Sequence, residues 1–287
     1  MTLKEFLKSI ADAIRAKKGT TATIKASDFA TEIEGIETNE KKIAALAGGE
    51  AVDITEKDLD GLEFIRTYAF YHSNIVTLEL PNTVKHIYGN AFYGSNKLVS
   101  VTLGENVETL EANSFYCKTL VEIYNKSSLT LTPGKETNSQ IARYAKNVYT
   151  PTSGQSKLSK DVNGFILYTD ETGICLVGYV GENVYTIIPN GVTEIFQYSF
   201  AESVLYQERK KISRVEVPKS VLKIGESAFS GCTELTEIDF SKHTSIPSLG
   251  SSAFYRCTAE IKVPSSLVAN WKSATNWSNY SSQIVGV

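Results

Sequence analysis

The side chains best suited to chemistry in this chain are three histidines, four cysteines and a set of carboxylates, and none is spaced for it. His72, His86 and His243 are scattered, and no two fall at a metal-ligand separation. Cys117, Cys175, Cys232 and Cys257 contain no Cys-x-x-Cys pair, so neither a zinc knuckle nor a thioredoxin-type motif is supported. Three of the four follow a repeated Phe by two or three positions, which reads as small buried hydrophobes rather than a disulfide frame. Glu79, Glu122, Glu216, Glu237 and Asp239 fall on alternate positions of short apolar runs. General acid–base work needs a second carboxyl with a differently tuned environment, and the pattern offers none. No G-x-S-x-G, P-loop or dinucleotide fingerprint occurs. The chain therefore reads as a non-enzyme without cofactor or metal.

The elements that carry these residues are set by repetition. Lys211 to Pro264 states a phrase and restates it: a short apolar strand often closed by Pro, an aliphatic pair three apart, then Ala-Phe with Cys soon after. Phe70, Phe92 and Phe115 are 22 and 23 residues apart, and Phe200, Phe229 and Phe254 are 29 and 25 apart. A period in the twenties is the signature of a solenoid whose coils each contribute one short strand. In NIVTLELP, Ile75, Leu78 and Leu80 point inward while Thr77 and Glu79 face out. The pattern recurs at Leu98/Val101/Leu103, Ile212/Val215/Val217 and Leu235/Ile238/Phe240. Pro81, Pro189, Pro218 and Pro264 close strands where no further ladder donor is wanted. Val84/Ile87, Val107/Leu110, Val192/Ile195 and Val221/Ile224 carry the chain across the core. The phenylalanines then stack into one continuous spine.

The regular phrase leaves an interior and two ends. Residues 124–180 read as an insertion containing a hairpin, with FILY and ICLVGYV flanking Thr169–Gly173. Residues 265–287, with Trp271 and Trp277, read as the cap that an exposed last coil requires. Residues 1–48 read as a small helical region with helices at 2–16, 27–36 and 39–46. Its eight basic and seven acidic residues favour packing against a partner or a second copy over lying on a membrane. The fold class is an α+β solenoid over 49–287, with short strands, an inserted hairpin region and helical ends.

Charge and composition narrow the partners. A net charge of -3 argues against nucleic acid. No run reaches membrane-spanning length, and the N-terminus lacks the apolar core of a signal peptide. The outward strand positions Thr77, Glu79, Ser100, Thr102, Glu122, Arg214, Glu216, Glu237, Asp239, Glu260 and Lys262 form a polar face suited to a protein or glycan ligand. Tyr71, Tyr93, Tyr116 and Tyr255 follow the core Phe and form an aromatic stripe. Such a stripe either packs between coils or offers a stacking face to sugars.

The phrase L-x-x-I-x-(I/V/L)-P-x-x-V-x-x-I-x-x-x-A-F-x-x-C resembles the BspA-like leucine-rich repeats, also called the Treponema pallidum type. The matching stretches are IVTLELPNTVKHIYGNAFYGS, ISRVEVPKSVLKIGESAFSGC and LTEIDF followed by LGSSAFYRC. The resemblance spans about Leu62 to Ile284 and implies the solenoid and a role in surface recognition or adhesion. IADAIRAKKGTTATIKASDFATEIEGI resembles N-terminal segments of phage and prophage proteins of gut-dwelling Gram-positive bacteria, several of them tail-associated. That likeness implies a structural part of a phage tail as the alternative, with residues 1–48 assembling copies. The location follows the reading: the cell surface if an export route exists, or the virion.

Overall fold

The computed structural model describes residues 50–201 and 212–287, all within one compact unit, Gly48–Val287. The three expected N-terminal helices, the phage-type likeness and the assembly role of 1–48 lie outside the described residues.

The described chain is a β-solenoid built in two blocks. In the first block, Val52–Ile54, Ile75–Glu79, Ser100–Leu103, Glu122–Asn125 and Asn147–Tyr149 form a parallel main ribbon. In the second, Tyr185–Ile187, Arg214–Glu216, Glu237–Asp239, Glu260–Val263 and Ile284–Gly286 form another. The registers hold residue for residue: Val215 lies beside Ile238, and Ile238 beside Ile261.

Each coil contributes a second strand where one was expected. Ile65, Ile87 and Leu110 join a narrow parallel ribbon in the first block, and Ile195, Ile224 and Leu249 join its counterpart in the second. A tight turn separates the two strands, and in three coils it starts at the closing proline. Val84, Val192 and Val221 each donate their backbone N–H to the carbonyl of the proline three residues earlier. That turn reverses the chain and re-extends it.

A second turn precedes each core phenylalanine. Tyr68, Asn90, Asn113, Tyr198, Ser227 and Ser252, two positions before Phe70, Phe92, Phe115, Phe200, Phe229 and Phe254, all have left-handed backbone with φ between 52° and 61°. These tight corners leave no room for helix. Among the described residues the only α-helix is Val268–Ser273, at the C-terminal end, so these residues form a β-solenoid of stacked repeats and the expected α+β class with helical ends holds only in part.

The aromatic core forms two stacks rather than one continuous spine. Phe70, Phe92 and Phe115 lie 5.0 and 4.7 Å apart and nearly parallel. Phe200, Phe229 and Phe254 follow at 4.8 and 5.4 Å, closed by Trp277 at 5.8 Å. Phe165 and Tyr179 of the inserted hairpin, Phe165–Asp170 with Gly173–Tyr179, extend the second stack beyond Phe200. The hairpin has two buried faces. Leu176 and Tyr179 join the second core, while Ile166, Tyr168, Cys175 and Val177 cover Val76, Val99 and Val121 of the first block. The stretch expected to be insertion from residue 124 begins as a further coil, because Val148 pairs with Ile123.

All four cysteines are buried. The Cys117 thiol donates to the Phe92 carbonyl at 2.9 Å, and the Cys232 thiol to that of Phe200 at 3.2 Å. Their thiols thus satisfy the backbone of the preceding coil.

Candidate recognition surface

Parallel registers convert the outward strand positions into rows. On the first main ribbon one row is Asp53, Thr77, Ser100, Glu122 and Asn147, and the next holds Glu79, Thr102, Tyr124 and Tyr149. The Thr77 hydroxyl donates to Asp53 Oδ1 at 2.6 Å. Tyr124 and Tyr149 stack at 4.7 Å. Lys126 Nζ stands 5.5 Å from the Tyr124 ring and pairs with Glu56 at 3.0 Å.

Glu122 does not belong to this open face, contrary to its outward position in the sequence. It is 1% exposed. Its carboxylate accepts the Ser156 hydroxyl at 2.6 Å, the Lys157 backbone N–H at 2.7 Å and the Asn147 amide at 3.0 Å. A strap at residues 155–157, after the last coil of the block, lies over it. The carboxylate therefore has a holding role.

On the second main ribbon the rows are Tyr185, Arg214, Glu237, Glu260 and Ile187, Glu216, Asp239, Lys262. Here the charges interlock. Arg214 Nε lies 2.6 Å from Glu237 Oε1, and its Nη2 lies 3.5 Å from Asp239 Oδ2. Lys262 Nζ pairs with Glu237 Oε2 at 2.6 Å, and Lys242 with Glu216. The Lys242 ammonium holds the Glu216 carboxyl below its usual range. Asp239 is also lowered: burial opposes its charge, but Ser241 and Arg214 outweigh it. These groups are ionised at neutral pH and committed to one another, which suits a contact surface and not proton transfer.

Two apolar side chains stand at the border of this mesh. Tyr185 is 45% and Ile187 53% exposed, on the edge strand of the ribbon. The Tyr185 hydroxyl donates to Glu216 Oε2 at 3.1 Å, and the Arg214 guanidinium lies 4.9 Å from its ring centroid. The ring is thus oriented while still exposed. Strand alternation in NVYTIIP places both residues outward, so the signal was present in the sequence.

The tyrosine stripe is divided. Tyr71, Tyr93 and Tyr116 stack at 5.7 and 5.2 Å, within 15° of parallel. Tyr144 meets the end edge-on at 6.0 Å, and Arg143 lies against both Tyr116 and Tyr144. The stacked rings cover one another's faces and leave edges to solvent. Tyr255 stands apart, 55% exposed, with Arg256 at 5.4 Å from its ring. Ala201 and Ser230 occupy the corresponding positions of the intervening coils.

A third group sits on the narrow ribbon of the first block, where Phe64, Arg66, His86, Tyr88 and Glu111 lie together. Among the described residues, no cluster of three His, Cys, Asp or Glu could hold a metal ion, and no helix is long and apolar enough to cross a membrane.

The comparison with curated proteins finds no match. Among solved structures, a leucine rich cell surface protein from Faecalibacterium prausnitzii is 20% identical, with 71% of this chain and 76% of that one covered and a TM-score of 0.30. A leucine-rich repeat protein from Eubacterium ventriosum is 16% identical over 71% of this chain and 57% of that one, with a TM-score of 0.36. The Treponema pallidum leucine rich repeat protein is 22% identical over 73% and 78%, with a TM-score of 0.23. The family model for the BspA type leucine rich repeat region matches in six copies over residues 52–137 and 201–282. With more than half of its length matched, and with stacked coils that each turn at a closing proline or at a left-handed corner before a core phenylalanine, the chain belongs to the BspA type leucine-rich repeat family.

Proposed function

We propose that this chain is a non-enzymatic surface-recognition protein, and that it binds a protein partner through the outward face of its second main ribbon. The observation that carries this reading is the exposed pair Tyr185 and Ile187 at the border of the ion-paired mesh of Arg214, Glu216, Glu237, Asp239 and Lys262. An oriented aromatic and an aliphatic anchor bordered by a polar rim is a composition suited to an interface. Glu260 completes that rim. Family membership supports a recognition role in general. On the first main ribbon, Thr77, Glu79, Ser100 and Thr102 form a second polar surface of the same kind.

The test is binding of the full chain to immobilised matrix proteins and to cells, comparing wild type with Tyr185→Ala/Ile187→Asp. Loss of these two anchors weakens binding about thirtyfold or more. Unchanged binding by the double variant, with its fold intact by circular dichroism, removes this face from the reading. A panel in which the wild type binds nothing removes the reading itself.

A further inference from the structure

The narrow ribbon of the first block carries an exposed arginine that forms no ion pair among the described residues. Phe64 and Ile65 pair with His86 and Ile87, and these with Thr109 and Leu110, so Phe64, His86 and Thr109 make one outward row. Tyr88 donates its backbone N–H to Ile65, and Glu111 donates its own to Ile87, which continues the pairing into a second row of Arg66, Tyr88 and Glu111. The Arg66 guanidinium lies 5.6 Å from the ring centroids of both Phe64 and Tyr88. Arg66 is exposed and, among the described residues, forms no ion pair with a carboxylate.

A guanidinium held against two rings loses little further freedom on binding and keeps its outer N–H fork available. The group that fits this fork is a carboxylate, bound through two parallel hydrogen bonds. The surroundings narrow what bears it. Phe64 is 42% exposed and offers a flat apolar face. One strand away, His86 Nε2 lies 3.0 Å from Glu111 Oε1, while Glu111 Oε2 accepts the Gly89 N–H at 2.9 Å. These bonds hold the Glu111 carboxyl low, so it remains an acceptor for hydroxyls. In the turn that follows, Tyr68 is 59% exposed and keeps a left-handed backbone at φ 61°, a costly conformation for a bulky residue. Its ring stands edge-on to Tyr71 at 5.3 Å and extends the aromatic surface.

We propose that Phe64, Arg66 and Tyr88, with the His86–Glu111 pair, form a binding site for carboxylate-bearing glycans such as those containing uronic or sialic acid. An acidic sugar matches all three features at once: its carboxylate meets Arg66, its C–H face meets Phe64, and its hydroxyls meet Glu111 and His86. An acidic peptide would use Arg66 alone. The inference rests on the recognition reading but uses a different face from Tyr185 and Ile187, so the two fail separately.

The experiment titrates the full chain with a hyaluronan tetrasaccharide and with sialyllactose, using lactose and cellotetraose as neutral sugars and hexaglutamate as an acidic peptide. At least one carboxylated sugar is expected to bind, more weakly as salt rises. Arg66→Gln and Phe64→Ala should each weaken it about tenfold or more, while Tyr185→Ala/Ile187→Asp leaves it unchanged. Arg66→Lys, which keeps charge but loses the fork, should recover only part of the affinity. The site is overturned if neither acidic sugar binds, if neutral sugars bind as tightly, if Arg66→Gln has no effect in a folded protein, or if hexaglutamate binds as tightly as the sugars.

Discussion

Lys118 Nζ lies 2.9 Å from Glu226 Oε1, across 108 positions of sequence and from one block of the solenoid to the other. The same ammonium donates to the Tyr198 hydroxyl at 2.9 Å, and Gln197 donates to the Lys118 carbonyl at 2.6 Å. Burial disfavours the Lys118 charge, yet the bonds to Tyr198 and Glu226 outweigh it and hold the lysine protonated. The blocks share no main ribbon, so this tie and the hairpin's buried faces join them.

Replacing Lys118 by Met keeps the aliphatic stem and removes the tie. The pair is partly solvent-screened, so the expected cost is about 1–2 kcal/mol, between an exposed and a buried ion pair. The Lys118 bond lowers the Glu226 pKa from its ordinary 4.5. A depressed carboxylate stabilises the fold above its unfolded pKa and loses that contribution as pH falls through the folded value. Lys118→Met should therefore lose less stability on acidification than wild type. Urea midpoints at about pH 7 and about pH 3.5 measure both effects, and identical acid losses would exclude the tie as their source.

Glu122 predicts a local failure. Glu122→Ala leaves the Ser156 hydroxyl, the Lys157 N–H and the Asn147 amide without their acceptor. The expected cost is about 2–3 kcal/mol. Limited proteolysis followed by mass spectrometry should show new cleavage within residues 150–158, with the rest of the fold resistant. A variant as resistant as wild type would show that the strap is held by something else.

The left-handed corners predict a gain. Asn tolerates that backbone better than Ser, and Ser252 is exposed at φ 54°, at the position filled by Asn90 and Asn113 in other coils. Ser252→Asn should stabilise by about 0.5 kcal/mol, and Ser252→Val should cost about 1–2 kcal/mol. Thermal melts of the two variants should move in opposite directions. Shifts of the same sign would mean that side-chain contacts, not backbone conformation, govern this corner.

Much of the coil was legible because repetition averages out local ambiguity. Ile75, Leu78, Val101, Leu103, Val215 and Ile238 are all buried as alternation required. The second strand of each coil was not, since two residues such as His86–Ile87 give no periodic signal. Glu122 sits at an outward position in its strand, and its cover comes from residues 155–157, which no local pattern connects to it. Arg66 was missed for the same reason: its partners Phe64 and Tyr88 meet only when two coils stack in register. Alternation reveals which way a side chain points, whereas stacking decides what it meets.

The C-terminal cap carries a pH dependence of opposite chemistry to that of Glu226. His243 is 2% exposed, with its ring 5.1 Å from Phe240 and 6.2 Å from Trp271. The Trp271 indole N–H beside it has no hydrogen-bond partner among the described residues. Burial lowers the His243 pKa below its ordinary 6.5, with the backbone of Val221 and Phe240 and the charge of Asp239 offsetting part of the shift. Below about pH 6.5 the unfolded chain binds a proton that the folded chain resists, so stability falls as pH drops from there towards the lowered folded value. For one proton the slope reaches at most about 1.4 kcal/mol per pH unit. His243→Phe keeps an aromatic ring against Phe240 and Trp271 and cannot titrate. Its unfolding midpoint should be flatter than that of wild type between about pH 6.5 and about pH 5. An equal slope in both proteins would place the titration at another group. The near-ultraviolet signal of Trp271 and Trp277 reports whether the loss begins in the cap, because both indoles pack against Phe240.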